Sequence, residues 1–180
     1  LYDPKDRESC LFDPERPAFR MTFDQSKCEW SLYHVTQGAW CVPKPHNQFR
    51  ARHEEKVAFV RHSSVQVGDG VNHQMDAALA VRLSGMSFHD SADKLPKSYV
   101  SRLVTKEAIW NKELETLVLD FKGRQVLPSA KNFQLACENR PNRLVCQYGK
   151  IEADKFSLDF RHPLSVVQAF ALSITTLSWE

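Results

Sequence analysis

A long apolar segment at the end of the chain limits the possible folds more than any other feature of the sequence. It follows Pro163 and runs over residues 164–177, which is too long for an average strand and suits a helix of about four turns. The apolar side chains cover most of the helical circumference: Val166, Val167, Phe170, Ala171, Ile174 and Leu177. A helix that is apolar nearly all round is buried nearly all round, so we expect a C-terminal helix enclosed by sheet. Phe170→Asp is then expected to abolish folding, at a cost of several kcal/mol.

Short runs rich in aromatic and β-branched residues occupy much of the remaining chain and predict strands. Turn signals such as Gly68-Asp69-Gly70 separate them, and no alternation of strands with helices indicates a parallel sheet. We therefore predict a mainly β protein, a sandwich or a barrel, forming a single domain over residues 18–180 after an irregular N-terminal arm, residues 1–17. The predicted strands are Phe19–Phe23, Glu29–Val35, Val57–Val67, Ala78–Leu83, Tyr99–Val104, Leu117–Phe121, Asn132–Cys137, Arg143–Tyr148 and Phe156–Phe160.

Charge and cysteine content exclude several classes of protein. The chain has 24 basic and 22 acidic residues, a net charge of +2, so bulk electrostatics predict no nucleic-acid partner, although a local basic patch remains open. The five cysteines are odd in number and scattered, which favours free thiols in a reducing compartment. The first residue is Leu1 rather than Met, which suggests a fragment. No apolar run reaches the ~18 residues of a transmembrane helix, so we expect contact with a membrane only at its surface.

Five short motifs over residues 110–180 occur in an order and spacing that resemble the tubby C-terminal domain. Residues 119–126 end an apolar run in Phe-x-Gly-Arg, and residues 129–134 match Ser-x-Lys-Asn-Phe-Gln. Residues 147–150 resemble Gln-Phe-Gly-Arg, with Tyr for Phe and Lys for Arg. Residues 154–159 resemble Asp-x-Phe-x-x-Asp, and the segment from Pro163 resembles the closing helix. The chain is therefore identified as a divergent member of the tubby-like family.

The resemblance implies a closed antiparallel β-barrel that surrounds a central C-terminal helix. It implies a non-enzymatic adaptor that binds phosphoinositide headgroups, especially phosphatidylinositol 4,5-bisphosphate. Family members carry membrane receptors into cilia together with the ciliary transport machinery. The implied protein is cytoplasmic, peripheral at the plasma membrane or cilium, and needs no cofactor. A scaffold that kept the barrel and lost lipid binding is the alternative.

The motif residues themselves are expected to support the fold rather than to form a site. In strands and turns of a barrel, such side chains commonly bond to nearby backbone, and a turn glycine supplies a positive φ. The residues concerned are Gly123, Arg124, Lys131, Asn132, Phe133, Gln134, Gly149, Gln168 and Phe170.

The lipid site of the family lies on its basic N-terminal strands, and residues 1–55 contain no comparable basic run. The densest basic stretch holds Lys44, Arg50, Arg52 and Lys56, interrupted by Glu54 and Glu55. A phosphorylated headgroup requires converging Arg and Lys side chains, so the first three of these basic residues are the sequence candidates for the site. The other interpretation of the stretch is a solvated charged connection.

Neither a metal centre nor a catalytic centre is predicted. Cys28, His34, Cys41 and His46 have irregular spacing and include no Cys-x-x-Cys pair. His162 beside Pro163 lies in no nucleophile-elbow or other catalytic motif. The expected class is therefore a binding module rather than an enzyme.

Overall fold

The computed structural model describes residues 18–37, 52–80 and 100–179. The predicted N-terminal arm, residues 1–17, lies outside these ranges. Within them the chain forms ten strands and one α-helix, so the mainly β prediction is confirmed. The strands are β1 Phe19–Asp24, β2 Glu29–Gln37, β3 Arg52–Val67, β4 Gly70–Ala80, β5 Val100–Thr105, β6 Ile109–Asn111, β7 Thr116–Val118, β8 Phe133–Cys137, β9 Arg140–Glu152 and β10 Lys155–Phe160. The helix α1 is Val166–Thr175, and one 3-10 turn, Thr176–Ser178, follows it.

Eight strands form one antiparallel sheet in the order β1-β2-β3-β4-β5-β8-β9-β10, and β6 pairs with β7 as a separate hairpin. Sequence neighbours mostly pair with each other, because tight turns join them, as between Val67 and Gly70. Among the described residues no pairing joins the edge strands β1 and β10. The closed barrel that the family resemblance implies is therefore not seen in this part of the chain.

Strand positions were predicted better than strand lengths. The strand predicted at Ala78–Leu83 begins at Gly70, because polar residues such as Asn72 and Gln74 alternate along its pairing with β3. The predicted strand Leu117–Phe121 ends at Val118, and its partner β6 was not predicted. The misplaced strand start and the missed strand both occur where the apolar run is short and polar residues form part of the paired strand.

The helix begins with a capping box that the sequence supports. Ser165 Oγ accepts a hydrogen bond from the Gln168 backbone N–H at 3.2 Å, and Gln168 Oε1 accepts one from the Ser165 N–H at 3.0 Å. The Gln168 amide also donates to the carbonyl of Val57 on β3 at 2.9 Å. One side chain therefore starts the helix and ties it to the sheet.

One face of α1 packs on the sheet and the opposite face is open, so the prediction of a helix buried nearly all round is wrong for the described residues. Ala169 and Leu172 are fully buried, whereas Val166 is 68%, Phe170 59% and Leu177 60% exposed. Within the described ranges no strand pairing joins β1 to β10, so the sheet does not close around the helix. The expectation that Phe170→Asp abolishes folding therefore loses its basis in this arrangement.

The core lies between the sheet and the buried face of α1. It contains fully buried Leu79, Leu103, Phe133 and Leu135 from three successive strands of the sheet, β4, β5 and β8. Trp179, just after the 3-10 turn, closes one end and contacts Phe133 edge to face at 6.2 Å between centroids. Over the described ranges, no helix has the length and apolarity to cross a bilayer.

Candidate anion-binding cleft

Residues 119–127, which we call the strap, cross the face of the sheet opposite to α1. The strap is held at its end by the Leu127 backbone N–H, which donates to the Lys150 carbonyl on β9 at 2.7 Å. Near its start, the Gln134 side chain on β8 donates to the Asp120 carbonyl at 2.9 Å. The strap thereby covers Gln134, which has no exposed surface.

The strap reverses direction at Lys122 and Gly123, which have φ angles of 53° and 85°. Asp120 Oδ1 accepts a hydrogen bond from the Lys122 N–H at 2.7 Å, and the Arg124 N–H donates to the Phe121 carbonyl at 3.3 Å. A Cβ built on Gly123 would touch nothing within 4 Å, so glycine is favoured there by its backbone conformation and not by lack of space.

Gly149 lets the strap lie close to the sheet. A Cβ at this position on β9 would come within 3.0 Å of Val126 and 3.1 Å of Phe121, both from the strap. Phe121 is only 8% exposed because it fills this space. A side chain at position 149 would push the strap outward.

Asn132 connects the strap to β9 through both of its side-chain atoms. Its amide donates to the Leu127 carbonyl at 2.8 Å, and its Oδ1 accepts from the Lys150 N–H at 2.9 Å. The neighbouring Lys131 N–H donates to Ser129 Oγ at 3.2 Å. These bonds join the Ser-x-Lys-Asn-Phe-Gln segment to the strap and to β9, and its purely structural role stays a prediction.

A row of polar side chains runs across β8, β9 and β10 beneath the strap. The Gln147 amide donates to Asp159 Oδ2 at 2.9 Å. The Arg124 guanidinium grips the same carboxylate through two nitrogens, with Nη1–Oδ2 at 2.6 Å and Nη2–Oδ1 at 3.2 Å. This paired geometry fixes the guanidinium of Arg124 at the surface.

A cleft of about 440 Å³ opens where the strap, β9 and β10 meet, and its charged lining is mostly basic. Arg161, the residue after β10, lies beside the middle of β9, because its backbone N–H donates to the Val145 carbonyl at 2.9 Å. Four basic residues face one carboxylate, that of Asp159, which leaves an excess of three positive charges. The basic residues are Lys122, Arg124, Arg143 and Arg161.

All four basic residues of the cleft are exposed, and three have no ion pair to any residue that the structure describes: Lys122, Arg143 and Arg161. Phe160, 39% exposed, also lines the cleft. Burial and the charge of Asp159 raise the pKa of the Cys146 thiol to about 12, so this lining residue stays neutral. The cleft therefore offers guanidinium and ammonium donors to an anion beside one exposed ring.

The described lining of this cleft includes none of the candidates named from sequence. Lys44 and Arg50 lie outside the described residues, and only the backbone of Arg52 is described, at the start of β3 opposite Gln37. Sequence reasoning named Arg124 as a motif residue but missed Lys122, Arg143 and Arg161. In the sequence, these three residues share one feature: each is a basic residue at a turn or near a strand end within the motif region. This feature identifies a cleft only once the pairing of the strands is known.

Comparison with known proteins identifies the family. The model of the Tub family matches residues 33–178. Tubby protein homolog 1 of Caenorhabditis briggsae is 45% identical over 74 residues, which are 41% of this chain and 18% of that protein. Protein king tubby 2 of Culex quinquefasciatus is 39% identical over 92 residues, 51% of this chain and 22% of that protein. Tubby-related protein 3 of Homo sapiens is 39% identical over 74 residues, 41% and 17% respectively.

The aligned stretch thus spans about a fifth of the length of these curated relatives. The family match covers well over half of the chain and includes the strap, the basic cleft and α1. It also includes every motif that carried the resemblance. The chain belongs to the Tub family.

Proposed function

We propose that this protein is a non-enzymatic adaptor that binds phosphoinositide headgroups, with phosphatidylinositol 4,5-bisphosphate as the preferred lipid. The observation that carries the proposal is the convergence of Lys122, Arg124, Arg143 and Arg161 on one open cleft. Membership in the Tub family supports it. We propose further that the bound protein is peripheral at the plasma membrane or cilium and carries a protein cargo there.

The chemistry of the cleft suits a multiply phosphorylated ring. Phosphate oxygens accept hydrogen bonds from guanidinium forks in pairs, and three arginines line the cleft. Arg124 is already oriented by Asp159, so it loses little conformational freedom when an anion binds. The exposed ring of Phe160 supports the proposal, in which it contacts the acyl boundary while the basic residues hold the headgroup.

The stretch with Lys44, Arg50 and Arg52 remains a second proposed location for the headgroup. It corresponds to the N-terminal position of the lipid site that the family resemblance implies. The two locations are separate hypotheses about one activity, and charge reversal at each distinguishes them.

Vesicle co-sedimentation tests the proposal directly. Phosphatidylcholine vesicles with and without phosphatidylinositol 4,5-bisphosphate are compared at low and at physiological salt, with the full-length protein. We expect binding that requires the phosphoinositide and weakens with salt, because the contacts are ionic. Each basic side chain near an anionic surface contributes about 1 kcal/mol, so the double variant Arg143→Glu, Arg161→Glu should bind at least roughly thirtyfold more weakly.

The matched control reverses two exposed lysines outside the cleft, Lys106→Glu and Lys112→Glu, and makes the same change in net charge. The control should bind nearly as well as the unaltered protein. Equal losses in both variants would mean that only net charge matters. A loss confined to Arg50→Glu, Arg52→Glu would move the site to the N-terminal stretch.

A scaffold that does not bind lipid is the second candidate, because one face of α1 exposes Val166 and Phe170, and the 3-10 turn after it exposes Leu177. Such a face suits contact with another protein. We also propose that the sheet closes around α1 in the complete fold, as the family resemblance implies. Closure would cover the same face. A folded protein that binds neither vesicle at either salt would favour the scaffold.

A further inference from the structure

A second cavity, whose charged lining is acidic rather than basic, lies between the β3–β4 turn and the β6–β7 hairpin. It measures about 520 Å³, and no function discussed above uses it. Its lining combines the indole of Trp110, two exposed carboxylates at turns, Asp69 and Glu115, and the buried amide of Asn72. We call it the hairpin pocket.

Trp110 is held in the pocket by two glycines. A Cβ built on Gly68 would lie 2.6 Å from Trp110 Cγ, and one on Gly70 would lie 2.9 Å from Cζ3. The indole therefore rests directly against the β3–β4 turn, where any other residue would displace it. The ring stays half-buried and forms part of the pocket wall, so it is a rigid aromatic surface rather than a core residue.

The charge of the pocket is negative. Asp69 and Glu115 are the acidic residues of its lining, and neither Lys nor Arg lines it among the described residues. Burial lowers the pKa of His73, the remaining titratable lining residue, so this imidazole is neutral at physiological pH. An aromatic ring beside two carboxylates attracts a cation through both its quadrupole and their charge.

Asn72 supplies an independent indication of a ligand. The residue is 8% exposed and lines the pocket, and its side-chain Nδ2 has no hydrogen-bond partner within the described part of the chain. A buried amide without a partner is costly, and a ligand that carries a carbonyl oxygen would satisfy it. The ligand that fits both observations carries a cation and a carbonyl group.

We propose that the hairpin pocket binds an arginine side chain of a peptide segment in a partner protein. The guanidinium stacks against Trp110 and pairs with the carboxylates of Asp69 and Glu115, while a backbone carbonyl of the peptide accepts from Asn72 Nδ2. Arginine fits better than lysine, because its planar cation both stacks on an aromatic ring and bonds two carboxylates at once.

Nuclear magnetic resonance titration with N-acetyl-arginine-N-methylamide tests the proposal, with the neutral citrulline analogue as the matched probe. We expect a saturable shift of the Trp110 indole signal with the arginine probe, and none with citrulline. The lysine analogue should bind more weakly. The double variant Asp69→Asn, Glu115→Gln should weaken binding by about tenfold or more, since it removes the ionic partners and keeps the shape.

The control variant Glu138→Gln, Asp154→Asn removes two exposed carboxylates at other turns and should bind the probe like the unaltered protein. Unchanged melting temperatures would show that each variant is folded. Equal shifts with arginine and citrulline, no saturable shift, or full binding by the Asp69→Asn, Glu115→Gln variant would each overturn the proposal. No lipid is present, so the outcome is separate from that of the vesicle experiment.

Discussion

Acid should weaken the contact between Trp179 and the sheet. His62 on β3 can accept the hydrogen bond from Trp179 only while its imidazole is neutral. His62 Nδ1 accepts a hydrogen bond from Trp179 Nε1 at 3.0 Å, and an indole N–H can only donate. The proton of the neutral ring therefore lies on Nε2, which is 3.1 Å from Thr175 Oγ1. A second proton on Nδ1 would face the Trp179 N–H and break that bond.

The electrostatics of the site oppose this second proton. Burial, and to a smaller extent repulsion from His73, lower the pKa of His62 from 6.5 to about 4. His73 stacks on the same indole, with 5.3 Å between ring centroids. His62 thus binds a proton near pH 6.5 in the unfolded chain but only near pH 4 in the folded chain. The stabilisation is complete above pH 6.5 and is lost as the pH falls toward 4.

The size of the effect follows from the difference in pKa. Each pKa unit corresponds to about 1.36 kcal/mol, so the fall of the His62 pKa from 6.5 to about 4 would correspond to about 3 kcal/mol without solvent screening. The ring of His62 keeps partial contact with water, and screening reduces the expected effect to about 1–2 kcal/mol. Most of this change should appear between pH 7.5 and pH 5, above the range in which ordinary carboxylates titrate.

Urea unfolding followed by tryptophan fluorescence at several pH values between 7.5 and 5 measures this loss. In His62→Gln the amide oxygen can still accept from Trp179 but does not titrate, so the variant should lose much less of its free energy of unfolding as the pH falls. His162→Gln, an exposed histidine, should keep the pH dependence of the unaltered protein. An equal slope in His62→Gln would refute the reasoning.

Four further substitutions test the packing of the strap and the helix. Gly149→Ala should lower the free energy of unfolding by about 1–3 kcal/mol, because its Cβ meets Val126 at 3.0 Å, and thermal unfolding would record the loss. Asn132→Ala removes hydrogen bonds to the strap and to β9 and should cost about 2 kcal/mol in urea unfolding; a loss below about 0.5 kcal/mol would contradict this role. Leu172→Asp should abolish folding by circular dichroism, since the side chain is buried. For Phe170→Asp, the described open arrangement predicts a loss below about 1 kcal/mol, whereas unfolding would show that a closed barrel covers the ring.

The class of fold was predictable because its signals are local. Short apolar and aromatic runs with turn residues between them indicated strands, and the long apolar segment after Pro163 indicated a helix. Ser165 and Gln168 lie at the spacing of a capping box, and the structure has one there. The exposure of Phe170 was not predictable, because an apolar circumference says which faces prefer burial but not how far the sheet extends around the helix.

The motif residues were predictable as a family signature but not in their contacts. Their order along the chain indicated the family, which the family match confirms. Their partners came only from the fold: Asn132 bridges the strap and β9, and Arg124 grips Asp159 on β10 from 35 residues away in sequence. A motif states which residues recur together, whereas a hydrogen bond requires strands in a given register.

By itself the sequence determined a mainly β chain, a C-terminal helix and membership in the tubby family, because each depends on patterns within a short window. Only the tertiary structure decided where charge collects. Lys122 belongs to the strap, Arg143 to β9, and Arg161 follows β10, and antiparallel pairing places them around one cleft. Net charge is a sum over the chain, but the field that an anion meets depends on distances between side chains, and those distances are set by the fold.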